Sequence, residues 1–412
     1  MKKALFISFD VPFDTVGHAG GKTHNYYLKK VSQDSEFETF LISFAIPGDM
    51  PKIDCDAYGI ENHIFCISQD KRKRMLRGII NLSSRYNPYN KYAGMLPEYY
   101  KRKIMGQLRK MKKEGYEPDV IVLEWTAIVL LAPDIKKIFH DAKLVASEHD
   151  VSFLGYKRKY EYEKGGYGKW LAKVRYKTML KNELGAIDVC DYVCPHNHKD
   201  ANLLLKHNVP KEKIRPIVPY YMDFTDMHWN GGSKNIVFFG AMKRQENHLS
   251  AVWFIENVMP LLKDTDVVFQ VIGGGPSEEL KSYESDRVKI LGFVDDVSPY
   301  FKEALCMAAP LVLGAGIKVK VLEGMSSGMP VLTNKLGIEG IYAENGEHYM
   351  HCETPEEYAQ AIKELINNRE KAEKISNNAK EFIRKKFDME KSAVRYIDLL
   401  KDCCERFGKD EK

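Results

Sequence analysis

The chain has 412 residues, 44% apolar and 29% charged, with 17 prolines, which excludes fibrous and disordered classes and describes a folded globular protein. Its length favours two domains of roughly 200 residues each. The net charge of +5 is uneven: residues 71 to 113 hold fourteen Lys or Arg against one Glu, and residues 157 to 181 hold nine against two acidic residues. Such a basic first half suits anionic lipid headgroups, a phosphate-bearing acceptor or nucleic acid, with a merely solvated helix face as the alternative.

The opening "MKKALFISFDVP" has basic residues and six residues of apolar character before Asp10, without a small-residue cleavage site, so it reads as a first strand rather than a secretory leader. No stretch approaches the roughly 18 apolar residues of a membrane span, and a cytoplasmic protein is expected. Next comes "VGHAGGKTHNYYLKK", a glycine-rich loop between that strand and a helix. Gly20 and Gly21 allow close backbone approach, and the helix start offers N–H groups to an anion. Gly21, Lys22 and Thr23 also match the end of a P-loop, although Val16 stands where its first glycine belongs. Pairing them with Glu124, at the end of the strand "VIVLE", as a magnesium carboxylate gives a triphosphatase reading.

"FETFLISF", "DVIVLEW", "KLVASEHD" and "DYVCPHN" continue a strand–helix rhythm that argues for parallel sheets covered on both faces. His149, at a strand's carboxyl end, can bind a polar substrate or act as acid or base; it can also simply satisfy backbone groups. "CDYVCPHNH" spaces Cys190, Cys194, His196 and His198 so that they could hold zinc, or else is a buried strand entering a helix. The eight cysteines of so long a chain are expected as free thiols.

"IVPYYMDFTDMHWNGGSKN", rich in Pro, Gly, Asn and Asp, reads as a hinge, after which the rhythm restarts at "KNIVFFG". The expected architecture is therefore α/β, two Rossmann-like domains facing across a shared cleft. In "FFGAMKRQEN", Gly240 lets the chain turn toward a ligand, and Lys243 and Arg244 could neutralise a diphosphate or be a solvated pair. "VIGGGP" fits no dinucleotide fingerprint and is weak alone. In "LGAGIKVKVLEGMSSGMPVLT", Gly314 and Gly316 can present N–H groups as an anion nest, a helix starts near Lys318 or Val319, and Lys318 and Lys320 add charge. Glu323, inside that helix, would repel a phosphate and is better suited to ribose hydroxyls. The last stretch, from "PEEYAQAIKELI" on, is helical.

The run "VKILGFVDDVSPYFKEALCMAAPLVLGAGIKVKVLEGMSSGMPVLTN" resembles the donor domain of family 4 retaining glycosyltransferases of the GT-B fold, and "FFGAM", "VIGGGP", "IVPYYMD", the Gly-Gly loop and "EHD" extend the resemblance in order along the chain. The resemblance implies that Glu323 is the second Glu of the family's paired motif and binds the donor ribose. It places Phe293 and Val294 at the nucleobase, Gly21 at the donor phosphate, Lys243 and Arg244 on the diphosphate, and His149 against the transferred sugar. The donor loop would run through Gly314, Ala315, Gly316, Ile317 and Lys318. Departures are Ala315 where the first Glu belongs, Lys318 in place of a Gly, and a basic pair that is adjacent rather than spaced.

The expectation is a domain over 1–222 on the acceptor side, a nucleotide-sugar donor domain over 223–388, and a helix over 389–412 packing back on the first. The expected function is metal-independent, retaining transfer from a nucleoside-diphosphate sugar to a hydroxyl acceptor, with no cofactor and no nucleic acid partner. The acceptor suggested is a lipid-linked glycan of bacterial polysaccharide assembly, reached at an anionic membrane surface where residues such as Tyr86, Tyr92, Tyr99 and Tyr100 interleave the cations. The rivals are a non-catalytic glycosyltransferase-like partner, suggested by Ala315, the P-loop triphosphatase and a sugar-nucleotide epimerase.

Overall fold

The computed structural model describes residues 1–82, 87, 89–92, 94–314 and 316–405; Tyr86 and Ala315 lie outside them. The chain divides into two compact units, Met1–Tyr220 with the chain from Met389 onward, and Tyr221–Asp388.

In the first unit, strands β1 (Lys2–Ile7), β2 (Phe37–Ala45), β3 (Glu61–Cys66), β4 (Val120–Glu124), β5 (Lys143–Glu148) and β6 (Tyr192–Pro195) form one sheet in the order β3-β2-β1-β4-β5-β6. Every pair is parallel, with Leu5 opposite both Phe40 and Ile121. Successive side chains of a strand face opposite ways, so runs such as "ALFI" and "VIVL" feed two cores at once. Leu5, Ile7, Ile121 and Leu123 join Ile104 and Leu108 of the helix Glu98–Lys113 on one face. Ala4, Phe6, Val120 and Val122 join Tyr27, Leu28 and Val31 of the helix Ala19–Ser32 on the other. That second face is also covered by the helix Met389–Glu405, whose Tyr396 ring meets Tyr27 edge-on at 5.0 Å while Ser392 Oγ lies 2.6 Å from the Tyr27 hydroxyl.

In the second unit, strands β7 (Asn235–Phe239), β8 (Val268–Ile272), β9 (Val288–Gly292), β10 (Cys306–Ala309), β11 (Val331–Thr333) and β12 (Met350–His351) are again all parallel, in the order β12-β11-β10-β7-β8-β9. Local chemistry sets its element ends: Thr354 and Glu357 form a reciprocal capping box that starts the helix Pro355–Asn367.

All eight cysteines stand as free thiols. Among the described residues no group of three or more His, Cys, Asp or Glu is arranged to hold a metal ion. Cys190 and Cys194 are core residues with thiols that burial pushes up, the opposite of what a metal thiolate requires. No helix among the described residues is long and apolar enough to cross a membrane.

Candidate functional site

In each sheet the chain winds outward from the middle in both directions, so the carboxyl ends of the two central strands border a crevice where open α/β sheets bind ligands. In the first unit those strands are β1 and β4. Glu124, the last residue of β4, is buried, and its Oε2 lies 2.9 Å from His149 Nε2 while Oε1 lies 3.4 Å from His24 Nδ1. Burial pushes the Glu124 carboxyl up, but His24 and His149 outweigh it and hold the group well below the usual carboxylate range. His149 follows β5; its burial favours the neutral ring and outweighs the pull of Glu124 in the other direction. Trp125 stacks on that ring at 4.7 Å and 15°, and the His196 ring is centred 4.0 Å away, with its Nε2 3.3 Å from Ser147 Oγ.

The glycine pair before this cluster is not in a loop. The helix begins at Ala19 because His18 caps it, its Nδ1 accepting the Gly21 N–H at 3.0 Å, and Thr23 Oγ1 donates to the Ala19 carbonyl. Gly20, Gly21, Lys22 and Thr23 are therefore its first turn. A Cβ on Gly21 would lie 2.7 Å from Val16 Cγ2, so packing demands glycine there.

In the second unit the central strands are β7 and β10. Gly240 and Gly273, which follow β7 and β8, have φ of 151° and 142°, and a Cβ on Gly273 would fall 1.8 Å from the Gly240 carbonyl oxygen. Beyond β9, Phe293 is 75% exposed and Val294 half-buried. Beyond β10, Gly314 (φ 141°) and Gly316 (φ 66°) lead past Ile317 into the helix Val319–Ser326. The buried Lys318 is its N-cap residue, and its Nζ donates to the Gly316 carbonyl at 2.5 Å and stands 4.0 Å from Glu339.

Lys320, two residues on, turns back to β7. Its Nζ donates to Asn247 Oδ1 at 2.5 Å, stands over the Phe238 ring, and would lie 2.7 Å from a Cβ on Gly240. Burial, with Arg244 adding to it, lowers its ammonium to about 7. Glu323 is buried and its Oε1 accepts the Met222 N–H at 3.2 Å. Lys243 and Arg244 are exposed, and Arg244 pairs with Glu246.

Gly240, Gly314, Gly316, Lys318 and Glu323 thus belong to the second unit, while His149 and Gly21 belong to the first. Sequence reasoning did not single out His24, Trp125 or Asn247; it read His196 only as a zinc ligand and Glu124 only as a magnesium ligand. Contacts between residues as distant as His24, Glu124, His149 and His196 leave no local spacing to detect.

Residues 233–368 match the family model described as glycosyl transferases group 1. An uncharacterized 44.6 kDa protein in the cps region of Klebsiella pneumoniae is 25% identical over 184 residues, 42% of this chain; the match spans 46% of that protein, under half its length. Anabaena HepE in complex with UDP superposes with a TM-score of 0.65 at 14% identity, covering 98% of this chain and 100% of that one. Its UDP-glucose complex gives 0.62 at the same identity and coverage. Sucrose-phosphate synthase of Thermosynechococcus elongatus gives 0.68 at 13% identity over 98% and 99% of the two chains. The match to the glycosyl transferases group 1 model lies within the second unit, and the fold of the chain, two six-stranded parallel sheets flanked by helices, is that of a GT-B glycosyltransferase.

Proposed function

We propose that the chain is a retaining glycosyltransferase of family 4 type that moves a sugar from a nucleoside-diphosphate sugar to a hydroxyl acceptor. The observation that carries this reading is the second sheet's central strands, bordered by Gly240, Gly273, Gly314 and Gly316 at positive φ, two buried or partly buried lysines and the buried Glu323. UDP and UDP-glucose are bound by Anabaena HepE, and the same donor class is proposed here.

In this account the bond from the anomeric carbon to the diphosphate breaks, its electron pair staying on the leaving oxygen while positive charge builds on the sugar. Lys318, Lys320, Lys243, Arg244 and the backbone N–H groups of Gly314 and Gly316 meet the negative charge without a metal. Glu323 accepts from the ribose hydroxyls, and Phe293 and Val294 meet the base. His149 serves the sugar. The acceptor oxygen adds to the same face, and its proton passes to the leaving diphosphate. Retention itself is carried by the resemblance to family 4.

The acceptor proposed is a lipid-linked glycan. The helix Lys71–Ile80 supports a peripheral membrane contact: it buries none of its residues, exposes Met75, Leu76 and Ile79, and carries Lys71, Arg72, Lys73, Arg74 and Arg77 with no acidic residue. Incubation of the full chain with a panel of nucleoside-diphosphate sugars tests the donor reading. Release of the diphosphate from one donor class, lost in Glu323→Ala, is expected; no release from any donor by folded protein contradicts it. Flotation with anionic vesicles tests the membrane contact, which neutralisation of the cations in 71–77 should abolish.

A further inference from the structure

The Glu124 carboxylate is ionised and can only accept hydrogen bonds, so the 2.9 Å contact requires His149 to carry a hydrogen on Nε2. The ring is held in that orientation by the stacked Trp125 and the adjacent His196. Trp125 itself has a left-handed backbone, φ 66°, which an aromatic residue rarely adopts and which places its indole over the imidazole immediately after Glu124. A Cβ on Gly20 would lie 3.0 Å from Trp125 Nε1 and 3.1 Å from His149 Nδ1, so a donor and an acceptor nitrogen both border the start of the first helix. A hydroxyl group could accept from the indole N–H and donate to the imidazole Nδ1.

We propose that Glu124 is a positioning residue for His149: it fixes the Nε2–H tautomer and so leaves Nδ1, beside Trp125 Nε1, to receive a hydroxyl of the transferred sugar. This rests on the reading above that His149 serves the sugar. The groups that bear on the His149 ring are Glu124 from β4, His24 and His18 from the first helix and its cap, and His196 after β6. His24 approaches the second oxygen of Glu124 and does not compete for the first. A purely structural Glu124 would fix the same tautomer, but its replacement would lower stability without a selective fall in kcat of the folded protein.

The test is heteronuclear NMR of the full chain with isotope-labelled histidine, the His149 ring being identified by its loss in His149→Phe, together with donor kinetics. Wild-type neutral His149 should carry its hydrogen on Nε2. Glu124→Leu should release the ring to a mixture of tautomers and lower kcat on the order of 100-fold, with the donor KM nearly unchanged. Glu124→Gln keeps an acceptor oxygen and should restore the tautomer and part of kcat. An Nδ1–H tautomer in the wild type overturns the proposal even if Glu124→Leu does not fold. So does an unchanged tautomer in folded Glu124→Leu, or an equal kcat loss in both variants. Absence of turnover in the wild type, by contrast, counts against the glycosyltransferase reading, and the tautomer result is read separately from it.

Discussion

The Lys320 ammonium lies 2.5 Å from Oδ1 of Asn247, and burial lowers it from its ordinary value to about 7. A diphosphate arriving beside it favours the charged form, so above pH 7 binding must draw in a proton. Calorimetry of UDP binding at pH 8 in buffers of different ionisation enthalpy should show net proton uptake. Lys320→Met should abolish that uptake and weaken UDP about 10- to 100-fold, from the roughly 1.5–3 kcal/mol of a charge-assisted hydrogen bond. Uptake unchanged in the variant would remove Lys320 from the phosphate site.

Glu323 already accepts the Met222 N–H, and a carboxylate can take about four such bonds, so a ribose can share it. If it does, the wild type should bind UDP about tenfold or more tighter than its 2′-deoxy counterpart, and Glu323→Ala should bind the two alike. A preference that survives the substitution would move the ribose elsewhere.

Two buried acids set an alkaline limit on stability. Glu148 accepts from Thr126 Oγ1, and Glu183 accepts the Ser152 and Phe153 N–H groups. Burial, reinforced by neighbouring carboxylates, pushes Glu183 up to about 8 and Glu148 well above its ordinary 4.5. A carboxyl raised in the folded state stabilises fully below its unfolded value and loses that contribution as pH rises through the folded one. His149 and His196 are lowered by burial from 6.5, so their contribution is present above that value and is lost as pH falls. Melting temperature should therefore decline from pH 6.5 toward 9, and Glu148→Gln should flatten the decline. A flat wild-type profile over that range would contradict this.

Gly273 has no room for a side chain, since its Cβ would overlap the Gly240 carbonyl. Gly273→Ala should cost about 3 kcal/mol or more, combining overlap with a positive φ. Gly48→Ala, where a Cβ meets nothing within 4 Å, should stay within about 0.5 kcal/mol. Urea unfolding of both variants decides it.

The α/β fold was legible because strand runs such as "VIVLE" and "KNIVFFG" alternate with helical patterns, a signal written in neighbouring residues. Strand order was not, because the placement of β1 beside β4 and of β10 beside β7 depends on long-range pairing. The Gly20–Gly21 pair was misread as a loop: two glycines suggest one, but the His18 cap and the Thr23 back-bond start the helix at Ala19. Lys320 could be counted as a charge, yet its burial against Phe238 and Asn247 joins residues more than seventy positions apart. Ala315, where the resemblance has a glutamate, lies outside the described residues.

The most direct measurement is diphosphate release from UDP-sugars by the wild-type chain and by Lys320→Met, with folding checked by circular dichroism. Turnover of a nucleoside-diphosphate sugar by the wild type, with the variant folded but strongly impaired, is the expected result. A folded wild type that binds and turns over no such donor, or a Lys320→Met variant as active as wild type, would contradict the assignment of the donor to the crevice between β7 and β10.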